Sequence, residues 1–153
     1  MFKNIFLWIL IIFTISGCGY TPMYSSNFKS DFNIEIIDSK GDYDLSNFIK
    51  QKIIETPKNN NAYKNFQILI SSAYIKQIQT KDKSGKVTQY SLNAEVDFTI
   101  KLNDKSETIS FNEKSAMNKF NDDFEESSYE RSFKENISQI FTNKLILYLS
   151  RKK

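Results

Sequence analysis

Residues 87–103 read VTQYSLNAEVDFTIKLN, and from Tyr90 onward every second side chain is apolar. Tyr90, Leu92, Ala94, Val96, Phe98, Ile100 and Leu102 point one way, and Ser91, Asn93, Glu95, Asp97, Thr99 and Lys101 point the other. A strict period of two specifies a strand, because successive Cβ atoms stand on opposite faces of a pleated chain. One dry face and one wet face further specify an antiparallel sheet covered on one side only, with a register that cannot slip by one residue.

The neighbouring segments extend this sheet. Upstream, KDKSGK (81–86) carries a glycine suited to a hairpin tip, and its other arm is a long strand from Phe66 to about Thr80. Downstream, NDKSE (103–107) is a second turn leading to a short strand with Ile109 and Phe111 inward. Near the start, FNIEIID (32–38) alternates Phe32, Ile34 and Ile36 against Asn33 and Glu35, another half-buried strand. Gly41 marks a turn, Asp44 is placed to cap a helix carrying Leu45, Phe48, Ile49 and Ile53, and Pro57 closes it. KNNNAYKN (58–65) is a polar loop. The last segment is helical, starting at the capping box Ser127-Ser128-Tyr129-Glu130 or earlier, at Asp122 to Glu125. Its apolar stripe is Tyr129, Phe133, Ile137, Ile140, Phe141, Leu145 and Tyr148, a pattern more often core than docking surface. Arg151, Lys152 and Lys153 suit the negative end of the helix dipole. The predicted fold is α+β: two helices packed on one face of a four-stranded, mainly antiparallel sheet in the order β-α-β-β-β-α. Residues 32–153 show no internal repeat and no second domain.

The N-terminus reads differently. Lys3 precedes an apolar run, Ile5 to Ile15, of 11 residues, well short of the roughly 20 that a spanning helix needs. The layout is that of a secretory signal peptide, predicted over residues 1–17. Ile15-Ser16-Gly17-Cys18 resembles the lipobox of bacterial lipoproteins, in which the cysteine thiol takes a diacylglyceryl group and the signal is cut just before it. Cys18 is the single cysteine of the chain. A signal anchor with a buried free thiol is the competing reading. Two or more acyl chains hold a protein on a bilayer stably. Residues 18–31 then form a lipidated tether in which Pro22 excludes helix, and Tyr20, Pro22 and Tyr24 are either solvated or in contact near the membrane. Gly19 stands where an aspartate would resemble the inner-membrane retention signal, which points to the outer membrane.

Loss of Lys3 with the signal takes 21 basic residues to 20 against 18 acids, a balance of +2. A mixed surface of this kind gives no reason to expect nucleic acid as a partner. There is no histidine, and Cys18 is committed to lipid, so Ser-His-Asp and Cys-His arrangements and histidine metal sites are excluded. The four glycines are scattered and form no phosphate loop. Asp122, Asp123, Glu125 and Glu126 offer a calcium site or an acid/base pair, or simply favour the positive end of a helix. The expectation is a protein without catalytic residues, metal or cofactor beyond the covalent lipid. Lys81, Lys83 and Lys86 around Asp82 give the hairpin tip a local +2; they are candidates for binding the phosphates of lipopolysaccharide, or a solubilising loop. Lys76 and Lys101 are candidate extensions of that patch.

CGYTPMY (18–24) resembles the start of mature LPS-assembly lipoproteins, the LptE family of alphaproteobacterial type. The order strand, helix, long hairpin, strand, long helix is similar to that family, as is SSYERSF (127–133) at the start of the last helix. The resemblance implies a lipid-anchored protein of the cell outer membrane, facing the periplasm or sitting within a barrel lumen. It implies a plug in the LptD β-barrel that assists barrel assembly and helps deliver lipopolysaccharide to the outer leaflet. A free-standing lipoprotein binding a small amphiphile or cell-wall component is the alternative. A surface hydrolase using Asp122 or Glu125 is a third.

Overall fold

The computed structural model describes residues 31–152; the predicted signal, Cys18 and the tether lie outside them. The elements are β1 (Phe32–Gly41), α1 (Tyr43–Ile54), β2 (Lys64–Lys81), β3 (Val87–Leu102), β4 (Lys105–Asn118) and α2 (Asp123–Ser150). The sheet order is β1-β2-β3-β4. β2 pairs antiparallel with β3, and β3 with β4. β1 runs parallel to β2, as the helical crossover between them requires. The expected α+β architecture is therefore present, with one parallel pair.

The alternation of β3 sets the layers. Leu92, Ala94, Val96, Phe98 and Ile100 are buried under the helices together with Phe66, Ile68 and Ile70 of β2. From α1 come Leu45, Ile49 and Ile53, spaced by four, and from α2 come Phe133, Ile137, Phe141, Leu145 and Leu149. At about 25 cal/mol per Å² of apolar surface removed from water, such residues supply the main stabilising term of the fold.

Three expectations need correction, and one open choice is decided. The cap of α1 is Asp42, whose carboxylate accepts the Leu45 amide at 2.9 Å. Asp44, in the first turn of the helix, instead faces Lys134 at 3.6 Å. The third antiparallel strand is not short: β4 has 14 residues. Charged residues at its inward positions masked it, because Glu107 and Glu113 alternate with Ile109 and Phe111 and are paired with Lys152 and Lys144 of α2. Of the two proposed starts of α2 the earlier holds, with Asp122 accepting the amides of Phe124 (2.6 Å) and Glu125 (3.3 Å); the Ser127 hydroxyl instead donates to the Asp123 carbonyl at 2.8 Å. Finally, Tyr129 and Ile140 are 39% and 40% exposed and drop out of the buried stripe, while Leu149 joins it.

Gly41 ends β1 at φ +101°, and a Cβ there would stand 1.7 Å from the Ser72 carbonyl oxygen. That close approach lets the chain turn into α1 with Asp42 N–H donating to Ser72 O at 3.1 Å. Only glycine meets both demands.

Candidate functional site

The arms of the long hairpin are β2 and β3. β2 alone has 18 residues, about 60 Å at the rise of an extended strand. β4 pairs with β3 as far as Gln89↔Asn118, and the Lys119 amide still donates to the Thr88 carbonyl at 2.9 Å, so only the 81–87 end of the hairpin extends past this pairing. Thr80 and Thr88 hydroxyls bond across the base of that end at 2.7 Å.

The tip is ordered by one acid. Asp82 Oδ1 accepts from the Ser84 amide (2.8 Å), the Ser84 hydroxyl (2.6 Å) and the Lys86 amide (2.9 Å). The Ser84 hydroxyl first, and then the Lys86 amide, hold the Asp82 carboxyl below its usual range. Gly85 takes φ +85°, with its amide donating to the Asp82 carbonyl at 3.0 Å. Lys81, Lys83 and Lys86 are thereby brought together on one exposed turn, and no ion pair among the described residues engages them. Their only acid neighbour in the sequence is spent on the backbone of the loop.

The two candidate extensions of this patch are not part of it. Lys76 occupies an inward position and is turned under α2, where it meets Glu126 and, at 2.7 Å, Glu130. Lys101 is exposed on the opposite face and at the opposite end of β3.

Lys76 belongs to a network absent from the sequence reading. Lys119 bonds Glu126 at 2.8 Å and approaches Asp123 at 3.5 Å. The Tyr74 hydroxyl donates to Glu130 at 2.7 Å. Lys134 lies over the Tyr74 ring at 4.3 Å and pairs with Asp42 at 3.0 Å. Burial pushes the Glu126 carboxyl up, but hydrogen bonds from Lys119 and Lys76 outweigh it and hold it below its usual range. Burial of Tyr74, reinforced by its bond to Glu130, drives the phenol well above its usual range. Of the acidic cluster at the start of α2, Asp122 caps the helix and Asp123 and Glu126 neutralise lysines. Among the described residues no group of three or more His, Cys, Asp or Glu is placed to hold a metal ion.

The second feature is the sheet face that no helix covers. The register places Gln89, Ser91, Asn93, Glu95, Asp97 and Thr99 beside Asn118, Ala116, Lys114, Asn112, Ser110 and Thr108. Side chains bond across it in rungs: Thr99 to Thr108 (3.0 Å), Ser110 to Asp97 (2.5 Å), Asn112 to Asn93 (2.8 Å) and Gln89 to Asn118 (3.3 Å). No aromatic residue of the four strands stands at an outward register position. The face is wet and rich in hydroxyls and amides, with Glu35, Glu95, Asp97, Lys101 and Lys114 as its charged side chains.

Among the described residues no helix is long and apolar enough to cross a membrane. No protein-family model matches the chain, and no curated protein matches it in sequence. Solved structures do resemble it. Rare lipoprotein B from Shewanella oneidensis superposes with a TM-score of 0.55 at 11% identity, over 80% of this chain and 98% of that one. A lipoprotein from Caulobacter crescentus CB15 gives 0.52 at 11% identity, over 76% and 87%. Lipoprotein B from Nitrosomonas europaea gives 0.50 at 12% identity, over 79% and 86%. At such identities the likeness is one of fold: the chain has the architecture of these lipoproteins.

Proposed function

We propose that this chain is an outer-membrane lipoprotein of the LptE kind, anchored through Cys18, that plugs the LptD β-barrel and helps deliver lipopolysaccharide to the outer leaflet. The observation that carries the reading is the uncovered sheet face. A folded domain normally covers or exploits a flat four-stranded surface, and this one offers hydroxyls and amides without aromatic anchors. The interior of a large outer-membrane barrel is polar, so such a face can lie against it with its hydrogen-bonding groups matched. The fold shared with three lipoproteins and the lipobox-like sequence before Cys18 support the anchor. Lipidation would raise the effective concentration of plug beside barrel without any new contact.

The hairpin tip would meet lipopolysaccharide phosphates through Lys81, Lys83 and Lys86. A photo-crosslinking residue at Ser91 or Asn112 on the open face should capture a large barrel protein in intact outer membranes. The same probe at Gln139 on α2 serves as comparison. Capture from neither open-face site would remove the plug reading.

The second reading, a free-standing lipoprotein binding an amphiphile, has one feature in its favour. An open groove of about 450 Å³ runs between β1 and the end of α1, where Ile34, Ile36, Ile53 and Ile54 line it together with Glu35 and Lys58. A lipoprotein recovered with a bound amphiphile and no barrel would favour it.

A further inference from the structure

β1 is an edge strand, and its outer side is unfinished. It pairs with β2 alone, and among the described residues 33–38 make no backbone-to-backbone hydrogen bond outside that pairing. Its apolar side stops short as well. Ile34 and Ile36 stand at inward positions opposite Phe66 and Ile68. Those partners are 1% and 0% exposed, yet both isoleucines are only half-buried. Beside them the groove of about 450 Å³ runs on to the end of α1, where Ile54 is 69% exposed.

We propose that residues 24–28 of this same chain, YSSNF, close the edge as a fifth strand antiparallel to β1 and seat Phe28 and Tyr24 in the groove. The occupant is chosen by where the chain runs. Phe28 lies four residues before Phe32, so it is at most about 14 Å from the mouth of the groove. The chain already bends at Asp31. A loop of Lys29, Ser30 and Asp31 sets Phe28 opposite Phe32, Ser26 opposite Ile34 and Tyr24 opposite Ile36. Three-residue loops are common hairpin connections, and serine and aspartate are turn formers.

In that register the period of two serves both faces of the sheet. Tyr24 and Phe28 fall on the isoleucine side, while Ser25 and Asn27 fall beside Glu35 and Asn33 and carry the hydroxyl- and amide-rich face one strand further. Pro22 ends the strand, having no N–H to give to a ladder. An open edge is a template for unwanted pairing, and covering it is a usual remedy. The inference stands apart from the barrel and the ligand and is compatible with both. Six residue steps remain between Cys18 and Tyr24, at most about 21 Å, against about 13 Å from Ile36 back to Phe32. A lipid on Cys18 therefore still reaches past the start of β1, and the hairpin tip is untouched.

The test uses the chain from residue 18 to its end with Cys18→Ser, which leaves no other cysteine. Ser25→Cys together with Glu35→Cys should close a disulfide in oxidised glutathione, since directly opposed residues meet the distance such a bond requires. Ser25→Cys with Lys40→Cys, well out of register on the same face, should stay reduced. Both pairs sit on the wet face, so neither disturbs the core. Hydrogen exchange supplies the second readout. The outward amides of β1 should be protected in the Cys18→Ser chain, and Phe28→Ala should lower that protection about tenfold while the β3 amides keep theirs. Equal oxidation of the two cysteine pairs would overturn the proposal, as would unprotected outward amides in the parent. Binding of the apolar dye anilinonaphthalene sulfonate as strongly by the parent as by Phe28→Ala would also overturn it, by showing the groove open to an amphiphile.

Discussion

At the hairpin tip one oxygen, Asp82 Oδ1, accepts three hydrogen bonds and fixes the turn on which three lysines stand. The depressed carboxyl favours the ordered loop at every pH above the usual carboxylate range and loses that effect as acid protonates it. Asp82→Ala should therefore leave the global thermal midpoint nearly unmoved while abolishing hydrogen-exchange protection at the Ser84 and Lys86 amides. Reversing Lys81, Lys83 and Lys86 to glutamate should weaken lipopolysaccharide binding at least tenfold; unchanged binding would return the tip to a solubilising role. Gly41 is the opposite case, a residue whose absence of side chain is the point. Gly41→Ala meets the Ser72 carbonyl and an unfavourable φ together, and should cost about 2–4 kcal/mol in denaturant unfolding.

Among the elements, α2 has two kinds of underside. Its C-terminal half packs through Phe141, Leu145 and Leu149, its N-terminal half through Glu126, Glu130 and Lys134 on Lys76, Tyr74 and Asp42. The Glu126 carboxyl is held low and the Lys76 ammonium, despite the opposing effect of burial, is held high by its bonds to Glu126 and Glu130. The carboxyl contributes above the usual carboxylate range and is lost as pH falls through its folded value; the lysine contributes below the usual lysine range and is lost as pH rises through its own. Stability should thus be flat between about pH 5 and 10 and should fall below that window less steeply in Glu126→Gln than in the parent. Among the described residues Thr142 Oγ1 is buried without a hydrogen-bond partner. Thr142→Val keeps its shape and removes the unsatisfied hydroxyl, so it should raise stability by about 1 kcal/mol; a loss would show that a partner exists.

The elements also show what could be read in advance. β3 was legible in full because its period of two is unbroken over Tyr90–Leu102, and it fixed which sheet face is dry. β4 reads short because Glu107 and Glu113 break the apolar alternation, and their partners lie 45 and 31 residues away in α2. For the same reason the ionic network was missed. Lys76 keeps the parity of Ile70 and Tyr74, so its inward position was implicit, but no local pattern names Glu126 and Glu130 as its partners. Asp44 directly precedes Leu45 and carries a side chain suited to a cap, whereas Asp42 sits where the chain leaves Gly41 and its carboxylate reaches the amide three residues on. The tip lysines were legible as a charge cluster, since hairpin tips are local structures. The polar ladder on the open face needed the register of two turns before its rungs could be paired.

Taken whole, the described domain has two layers with one greasy interface inside, one hydroxyl- and amide-rich sheet face outside, a basic tip at one end and the start of β1 at the other. Such a body is suited to standing in a polar enclosure with its anchor on one side and its hairpin reaching to the other. The central claim is that it lives inside a barrel. Its most direct test is a mild-detergent pull-down of the tagged, lipidated chain from outer membranes at near-native expression, with mass spectrometry of what remains after washing. A large β-barrel protein retained at about one per chain is the predicted result. Recovery of the chain without any barrel, under detergent gentle enough to keep other outer-membrane complexes intact, would contradict it.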